Sequence, residues 1–115
     1  MITIYGIKNC DTMKKARKWL DEHSIEYGFH DYRKDGLDKQ QLNEWVKLLS
    51  WEVLLNKRGT TWRKLPEEVR YHIDEKIAIE LMLAQPAMIK RPLLDTGSEL
   101  SVGFSPENYK QLFKN

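Results

Sequence analysis

The order of secondary-structure patterns at the start of the chain restricts its fold more than any other feature of the sequence. Residues 2–5 are β-rich and alternate, residues 11–23 have a helical apolar period, and residues 25–30 alternate again. The predicted apolar face of the helix comprises Met13, Ala16 and Leu20. A strand, a helix and a strand in succession form a βαβ unit, whose strands are almost always parallel and whose crossover is right-handed. We therefore predict a parallel strand pair, with residues 6–10 leading from the first strand into the helix.

The middle of the chain, about residues 34–90, is predicted to be a helical insertion. Asp38 is positioned to cap its first helix. The apolar face of that helix would comprise Leu42, Trp45, Val46 and Leu49. Short helical segments follow, one of them capped by Thr60 or Thr61. Asp74 begins a stronger helix that is apolar nearly all round, so we expect that helix to be largely buried. The residues expected in register on it are Ile73, Ile77, Leu81 and Ala84.

The last third of the chain returns to strand patterns. Residues 91–95 and 99–103 indicate a β-hairpin around a Thr-Gly-Ser turn. Ser105 followed by Pro106 is typical of the start of a helix. The complete order is β-α-β, the insertion, then β-β-α, which is the connectivity of a thioredoxin-like sheet. We therefore predict a single α/β domain over residues 1–115, with a thioredoxin-like, mixed four-stranded sheet and the helical insertion between its second and third strands.

This topology predicts that two distant parts of the chain meet. If the third strand runs antiparallel beside the first, the third strand begins against the carboxyl end of the first. Arg91 and Pro92 stand where the third strand begins, and Cys10 belongs to the loop that follows the first strand. We therefore expect Arg91 and Pro92 to lie next to the loop that carries Cys10.

Composition excludes several classes of protein. The chain has 115 residues, of which 41% are hydrophobic, and a net charge of +2. It can therefore bury one core, and its bulk charge predicts no direct nucleic-acid partner. No apolar run approaches the roughly 20 residues of a membrane span, and the first residues lack the architecture of a signal peptide. We expect a cytoplasmic monomer with no membrane partner.

The supply of metal-binding side chains is small. Cys10 is the one cysteine, so an intrachain disulfide and a Cys-rich zinc site are both excluded. The three histidines, at positions 23, 30 and 72, do not have the spacing of metal ligands. We therefore expect no metal site and no bound cofactor.

Cys10 is placed for chemistry. It stands between a strand and the start of a helix, in a polar loop and not on an apolar stripe. A helix N-terminus and nearby cations lower the pKa of a cysteine from about 8.5 and stabilise its thiolate. Lys8 and Lys14 flank Cys10, and further basic residues follow it. We interpret Cys10 as a reactive thiol, with Lys8 as a neighbouring cation and Asn9 orienting the loop. The alternatives are an inert small core residue and a solvated basic helix face.

Three segments together carry a resemblance to a known family. They are residues 6–16 (GIKNCDTMKKA), the Arg91-Pro92 step, and residues 102–104 (VGF) near the end of the chain. The sequence resembles the arsenate reductase (ArsC)-related family over essentially its whole length. Within that family it is most similar to the small YffB-type proteins, which have been proposed to be glutathione-dependent thiol reductases. The resemblance implies a thioredoxin-like fold with a helical insertion.

The resemblance also implies roles for individual residues. Cys10 matches the family's nucleophile. Arg91 matches an arginine that contacts the bound oxyanion in arsenate reductases, and Pro92 matches the proline, usually cis, beside the thiol of thioredoxin-like proteins. Arg58 is expected to supply a second cation from the insertion, although Asn56 is an alternative match for that position.

Two departures from the family separate the possible functions. Arsenate reductases have a further arginine near the end of the hairpin, where this chain has Val102-Gly103-Phe104, so the oxyanion pocket is incomplete. The related Spx-like regulators often have a Cys-x-x-Cys pair, where this chain has Met13 as the last member. The resemblance therefore implies a monothiol reductase, with glutathione as cosubstrate and a disulfide or glutathionylated molecule as substrate. The alternatives are a non-catalytic, Spx-like protein-binding regulator and an arsenate reductase with an incomplete arginine pocket.

Overall fold

The structure is a computed structural model that describes residues 1–114, and a mixed four-stranded sheet organises it. The strands are β1 (Thr3–Gly6), β2 (Gly28–Asp31), β3 (Leu93–Asp95) and β4 (Leu100–Val102), in the spatial order β2-β1-β3-β4. Strands β1 and β2 are parallel, whereas β3 is antiparallel to both β1 and β4. The thioredoxin-like sheet predicted from the pattern order is therefore confirmed.

Eight α-helices complete the described part of the chain. They are α1 (Asp11–Glu22), α2 (Tyr32–Asp35), α3 (Lys39–Leu49), α4 (Trp51–Leu54), α5 (Thr60–Arg63), α6 (Glu67–Tyr71), α7 (Glu75–Ala84) and α8 (Pro106–Leu112), with a 3₁₀ turn at Pro86–Met88. The chain divides into two compact units: one holds residues 1–35 and the chain from residue 91 onward, and the other holds residues 36–90. Within residues 1–114, no helix is long and apolar enough to cross a membrane.

The core of the first unit forms where α1 packs on the sheet. Met13, Ala16 and Leu20 are fully buried, as their spacing predicts, and they cluster with Ile4 and Leu94. Burial of apolar side chains contributes roughly 25 cal/mol per Å² removed from water, so this cluster is a main source of the unit's stability. The cluster fixes α1 against β1, which leads to Cys10, and against β3, which follows Arg91.

The second strand begins later than its sequence pattern predicts. The alternation from residue 25 predicts a strand there, but β2 begins at Gly28. Ser24 adopts a left-handed conformation with φ 56°, and the Ile25 N–H donates to the Leu20 carbonyl at 3.0 Å. The residues after α1 are therefore used to end the helix, and the ladder starts only after that turn.

Gly6, at the end of β1, allows the strand to approach α1 closely. A Cβ atom on Gly6 would overlap the Met13 side chain, which is fully buried and cannot move into solvent. Because glycine has no side chain, Gly6 allows the strand before the thiol loop to contact the helix after it.

We expect Gly6→Ala to lower the free energy of unfolding by about 1–3 kcal/mol, the usual cost of overpacking a filled core. Urea unfolding monitored by tryptophan fluorescence gives the value. Gly28→Ala is the matched control, because its Cβ would meet only the Met1 side chain at an ordinary 3.7 Å. Equal unfolding midpoints for the two variants would contradict the conclusion that a Cβ atom at position 6 overpacks the core.

Backbone contacts within the second unit join residues 54–56 to its carboxyl end at residues 88–90. Leu55 and Ile89 form an antiparallel bridge. On either side of it, the Asn56 N–H donates to the Met88 carbonyl at 2.7 Å, and the Lys90 N–H donates to the Leu54 carbonyl at 2.8 Å. Backbone groups at both ends of residues 54–90 are thereby satisfied.

The helices of this unit match the predicted caps in part. Asp38 caps α3 by accepting from the Gln40 N–H at 3.3 Å, and Asp74 caps α7 by accepting from the Ile77 N–H at 2.9 Å. The prediction that Thr60 or Thr61 caps a helix is wrong, because Gly59 occupies the N-cap of α5. The buried residues of α3 are Leu42, Trp45 and Val46, as predicted, while Leu49 is half-buried.

The expected burial of α7 is also corrected. Ala78 and Met82 are its fully buried residues, whereas Ile77 and Leu81 are only half-buried and Ala84 is exposed. One narrow stripe of this ten-residue helix is fully buried in the interior of the unit. The apolar residues outside that stripe therefore keep contact with water.

Candidate functional site

Cys10 occupies the N-cap position of α1. Its backbone is extended, with φ −111° and ψ 129°, and its carbonyl accepts the first helical hydrogen bond, from the Lys14 N–H at 3.0 Å. The thiol is free and half-buried. The N–H groups of the first turn and the positive end of the helix dipole favour an anion at such a position.

The surroundings of the sulfur change the pKa of the Cys10 thiol in opposite directions. Partial burial raises that pKa by disfavouring the charged form. A side-chain hydrogen bond from Arg91, its positive charge, and the N–H groups of Met13 and Thr12 all lower it. The lowering effects prevail, so the pKa lies below its ordinary value and the thiolate is favoured.

Arg91 reaches Cys10 because of the sheet topology. Tyr5, next to the end of β1, pairs with Leu93 at the beginning of β3, and Arg91 precedes Leu93 by two residues. The prediction that the Arg91-Pro92 step lies next to the thiol loop is therefore confirmed. The hydrogen bond from Arg91 to Cys10 has a defined geometry, because a guanidinium carries its N–H donors in a rigid fork.

Pro92 follows Arg91 through a cis peptide bond and is buried. Proline has no N–H to donate, and the Pro92 carbonyl already accepts from the Gly103 N–H at 2.9 Å. That bond ties the start of β3 to the residue after β4. The backbone of Pro92 can therefore hydrogen-bond a ligand only through the second lone pair of its carbonyl oxygen.

An aromatic cluster that the sequence patterns do not predict lies at the same edge of the sheet. Tyr5 and Tyr32 are buried, and their rings stack with centroids 6.4 Å apart. His30 packs on both, 5.0 Å from the Tyr5 ring and 6.1 Å from the Tyr32 ring. The register offers a signal for this cluster, since Tyr5 and His30 are partners across the parallel strands and Tyr32 follows the end of β2.

Burial raises the pKa of the Tyr32 phenol strongly, and the nearby Tyr5 raises it further. The positive charge of Arg91 acts in the opposite direction, but it does not offset the burial. Tyr32 is therefore a neutral phenol over the physiological range of pH. Arg91 interacts electrostatically with this phenol as well as with Cys10.

Lys8 and Asn9 are exposed in the turn between β1 and α1. They are close to Cys10 along the chain, and their proposed contacts with a ligand stay predictions.

Arg58 and Asn56 belong to the second unit. The Asn56 Oδ1 accepts from the Arg58 N–H at 3.1 Å, which forms a local turn, and the Arg58 side chain is exposed. Neighbouring Lys57 lies over two tryptophan rings, 5.8 Å from Trp51 and 5.6 Å from Trp62. The loop is thus ordered by its own contacts, and a role for Arg58 as a second cation stays a prediction.

No group of three or more metal-binding side chains occurs within residues 1–114. The candidate site in the first unit consists of four parts: the Cys10 sulfur, the Arg91 guanidinium, the N–H groups of the first turn of α1, and the aromatic cluster.

Similar proteins and solved structures match this chain over nearly its whole length. An uncharacterised protein from Haemophilus influenzae is 47% identical over 98% of this chain and 99% of its own length. A solved structure of a YffB protein is 53% identical, covers 96% of this chain and 97% of its own, and superimposes with a TM-score of 0.91. The solved arsenate reductase (ArsC) related protein from Brucella melitensis is 59% identical over 99% of this chain and 95% of its own, with a TM-score of 0.82.

More distant similarities agree with these. The global transcriptional regulator Spx of Listeria innocua is 24% identical over 96% of this chain and 86% of its own length. A glutaredoxin from Archaeoglobus fulgidus, 11% identical with a TM-score of 0.50, shares the fold. The model of the ArsC family matches residues 5–112. The chain therefore belongs to the ArsC family.

Proposed function

We propose that this protein is a monothiol, glutathione-dependent thiol-disulfide reductase whose nucleophile is Cys10. The observation that carries the proposal is the hydrogen bond from Arg91 to a thiol at the N-cap of α1, which favours the thiolate. The thiolate is the reactive form in disulfide exchange. Membership of the ArsC family supports the same class of chemistry.

The proposed reaction has two exchange steps, and each is balanced. The Cys10 thiolate attacks the glutathione sulfur of a mixed disulfide, so a Cys10–glutathione disulfide forms and the substrate leaves as a thiolate. A second glutathione thiolate then attacks the glutathione sulfur of that intermediate, which releases glutathione disulfide and regenerates the Cys10 thiolate. The leaving substrate sulfur takes the electron pair of the broken S–S bond, and the incoming glutathione thiolate supplies the pair of the new one, so one glutathione is oxidised for each substrate thiol released. The chain has no second cysteine, so the resolving thiol must come from outside.

The remaining predicted residues serve binding in this proposal. Arg91 and Arg58 are expected to hold glutathione carboxylates, because a guanidinium matches a carboxylate in a bidentate way. Lys8 adds positive charge near the thiol, Asn9 orients the loop, and the backbone at Pro92 offers β-type hydrogen bonding to the bound glutathione peptide.

The covalent intermediate provides a direct test. After incubation with oxidised glutathione, the intact mass should increase by one glutathionyl group, and added reduced glutathione should remove it. Turnover is followed with the mixed disulfide of glutathione and 2-mercaptoethanol, coupled to glutathione reductase. An adduct that forms but is not released by glutathione would contradict a catalytic cycle.

A second candidate function is protein binding without catalysis, as in an Spx-like regulator. Leu48 and Tyr71, in the second unit, are 73% and 80% exposed, although both are large apolar side chains. The similarity to Spx also supports a protein-binding function. Arsenate reduction is supported less, because Val102-Gly103-Phe104 leaves the expected further arginine missing.

A further inference from the structure

We propose that a cavity lined by Arg17, Asp21 and Glu26 is a second binding site, for a zwitterionic compound of the amino-acid type with an apolar side chain. The cavity has a volume of about 1040 Å³, which is the scale of a small-molecule site. All of its lining residues belong to the first unit. The site goes beyond the proposed function, because the reaction at Cys10 does not use it.

The cavity lies at the opposite end of the sheet from Cys10. It is lined by Ile2, just before β1 begins, and by Thr96, just after β3 ends. These two positions meet because β1 and β3 are antiparallel, with Thr3 paired to Asp95. Cys10 follows the other end of β1, so the cavity and the thiol are separate sites.

Arg17 is held at the cavity by two aromatic side chains. Its Nε–H donates to the Tyr27 hydroxyl at 3.2 Å, and its guanidinium carbon lies 4.4 Å from the centroid of the Phe29 ring. The arginine is half-buried, so its attraction to the ring is screened less than at a fully exposed surface. Because the side chain is ordered before a ligand arrives, binding costs it little further entropy.

The terminal nitrogens of Arg17 are free to bind a ligand. The Tyr27 hydroxyl is the one hydrogen-bond partner of this side chain within residues 1–114, and no carboxylate in that range forms an ion pair with it. The terminal nitrogens are also absent from the buried polar atoms that lack a partner, so they reach solvent. Their N–H groups form the planar fork that matches a carboxylate in a bidentate way.

Two exposed carboxylates, Asp21 and Glu26, line the same cavity. Asp21 lies one helical turn after Arg17, on the same side of α1, and Glu26 belongs to the segment between α1 and β2. Within the described residues, neither carboxylate forms an ion pair with Arg17 or with another cation. The cavity therefore presents one positive and two negative side chains that do not neutralise one another.

The remaining walls favour a ligand with an apolar side chain. Ile2, Ile25 and Phe29 are half-buried, and each packs against the core of the unit. A ligand that covers them removes apolar surface from water. A simple anion would be repelled by the two carboxylates and a simple cation by Arg17, whereas an amino acid carries both charges at neutral pH. The charges and the walls therefore fit a zwitterion with an apolar side chain.

The test is a titration of the 15N-labelled protein with L-leucine, followed by NMR. We expect saturable shifts of the Arg17 Nε–H resonance and of the amides of residues 24–29. N-acetyl-L-leucine lacks the ammonium and L-leucinamide lacks the carboxylate, so each should bind at least about tenfold more weakly. L-leucyl-L-leucine carries the same two charges farther apart. Saturable binding of either zwitterion supports the site, and the tighter one identifies its ligand as a free amino acid or a short peptide.

Matched variants separate the site from a general effect of charge. Arg17→Met keeps an apolar stem over the Phe29 ring but removes the fork, so L-leucine should bind at least about tenfold more weakly. Lys18→Gln also removes one positive charge, but Lys18 does not line the cavity, so its variant should bind L-leucine like the parent. Asp21→Asn and Glu22→Gln form the corresponding pair for the ammonium, since Asp21 lines the cavity and Glu22 does not.

The absence of saturable shifts with both zwitterions would overturn the proposal. Equal affinities for L-leucine and N-acetyl-L-leucine would also overturn it, because the cavity would then bind any carboxylate. Equal losses of affinity in Arg17→Met and Lys18→Gln would do the same. If Arg17→Met does not fold, Asp21→Asn decides, because its position is exposed and an unchanged affinity would contradict the site. The titration does not involve Cys10, so its result is independent of glutathione turnover.

Discussion

A Cys10→Ser variant is expected to fold normally and to lose all glutathione-dependent turnover, down to the uncatalysed rate. The hydroxyl of serine is nearly the same size as the thiol, and the position is only half-buried, so the core of the first unit is not disturbed. A serine hydroxyl, however, is not ionised at neutral pH and cannot form a disulfide, so neither exchange step can occur. Initial rates with the mixed disulfide of glutathione and 2-mercaptoethanol measure the loss.

The same variant separates catalysis from protein binding. Far-UV circular dichroism and the urea midpoint establish that the variant is folded. Residual turnover well above the uncatalysed rate would exclude Cys10 as the nucleophile. A deletion phenotype that Cys10→Ser complements fully would favour the Spx-like alternative, in which the protein acts by contact with a partner.

The second large effect is expected from Arg91→Ala. Removing the hydrogen bond and the charge of Arg91 leaves only the N–H groups of Met13 and Thr12 to oppose the effect of partial burial, so the pKa of Cys10 should rise. Below its pKa, the thiolate fraction falls tenfold for each unit that the pKa increases. We therefore expect alkylation at pH 6 to slow by roughly tenfold or more, whereas at pH 10 the rates of variant and parent should converge.

Two companion variants sharpen the Arg91 experiment. Arg17→Ala removes another half-buried arginine of the first unit, whose guanidinium lies 4.4 Å over the Phe29 ring and donates to the Tyr27 hydroxyl at 3.2 Å. It should leave the alkylation profile unchanged. Arg91→Lys keeps the charge but not the fork of donors, so an intermediate profile is expected. Identical profiles for Arg91→Ala and the parent protein would contradict the assigned cause.

The sheet and the juxtaposition of Cys10 with Arg91 could be predicted from the sequence because both depend on element order. A βαβ unit has one favoured handedness, and an antiparallel third strand must begin where the first ends. The buried face of α1 was also predictable, since Met13, Ala16 and Leu20 satisfy the helical period and no competing stripe exists on that helix.

The aromatic cluster and the details of the insertion could not be predicted in the same way. Tyr5 and Tyr32 meet through strand register and through the abrupt start of α2 after β2, and neither leaves a period in the sequence. In α7 the apolar residues are spread around the helix, so the pattern alone could not select Ala78 and Met82 as the buried pair. The alternation after α1 predicted β2 correctly but placed its start too early, because the chain first completes a helix-ending turn at Ser24.

The contact between Gly6 and Met13 has a consequence for the energetics of ligand binding. It joins the strand before the thiol loop directly to the helix after it, so residues 7–10 span a short gap between two packed elements. A loop held in this way loses its conformational freedom when the chain folds, and the free energy of burying the core offsets that loss. For a ligand that binds at Cys10, a loop ordered in advance lowers the entropic cost of binding.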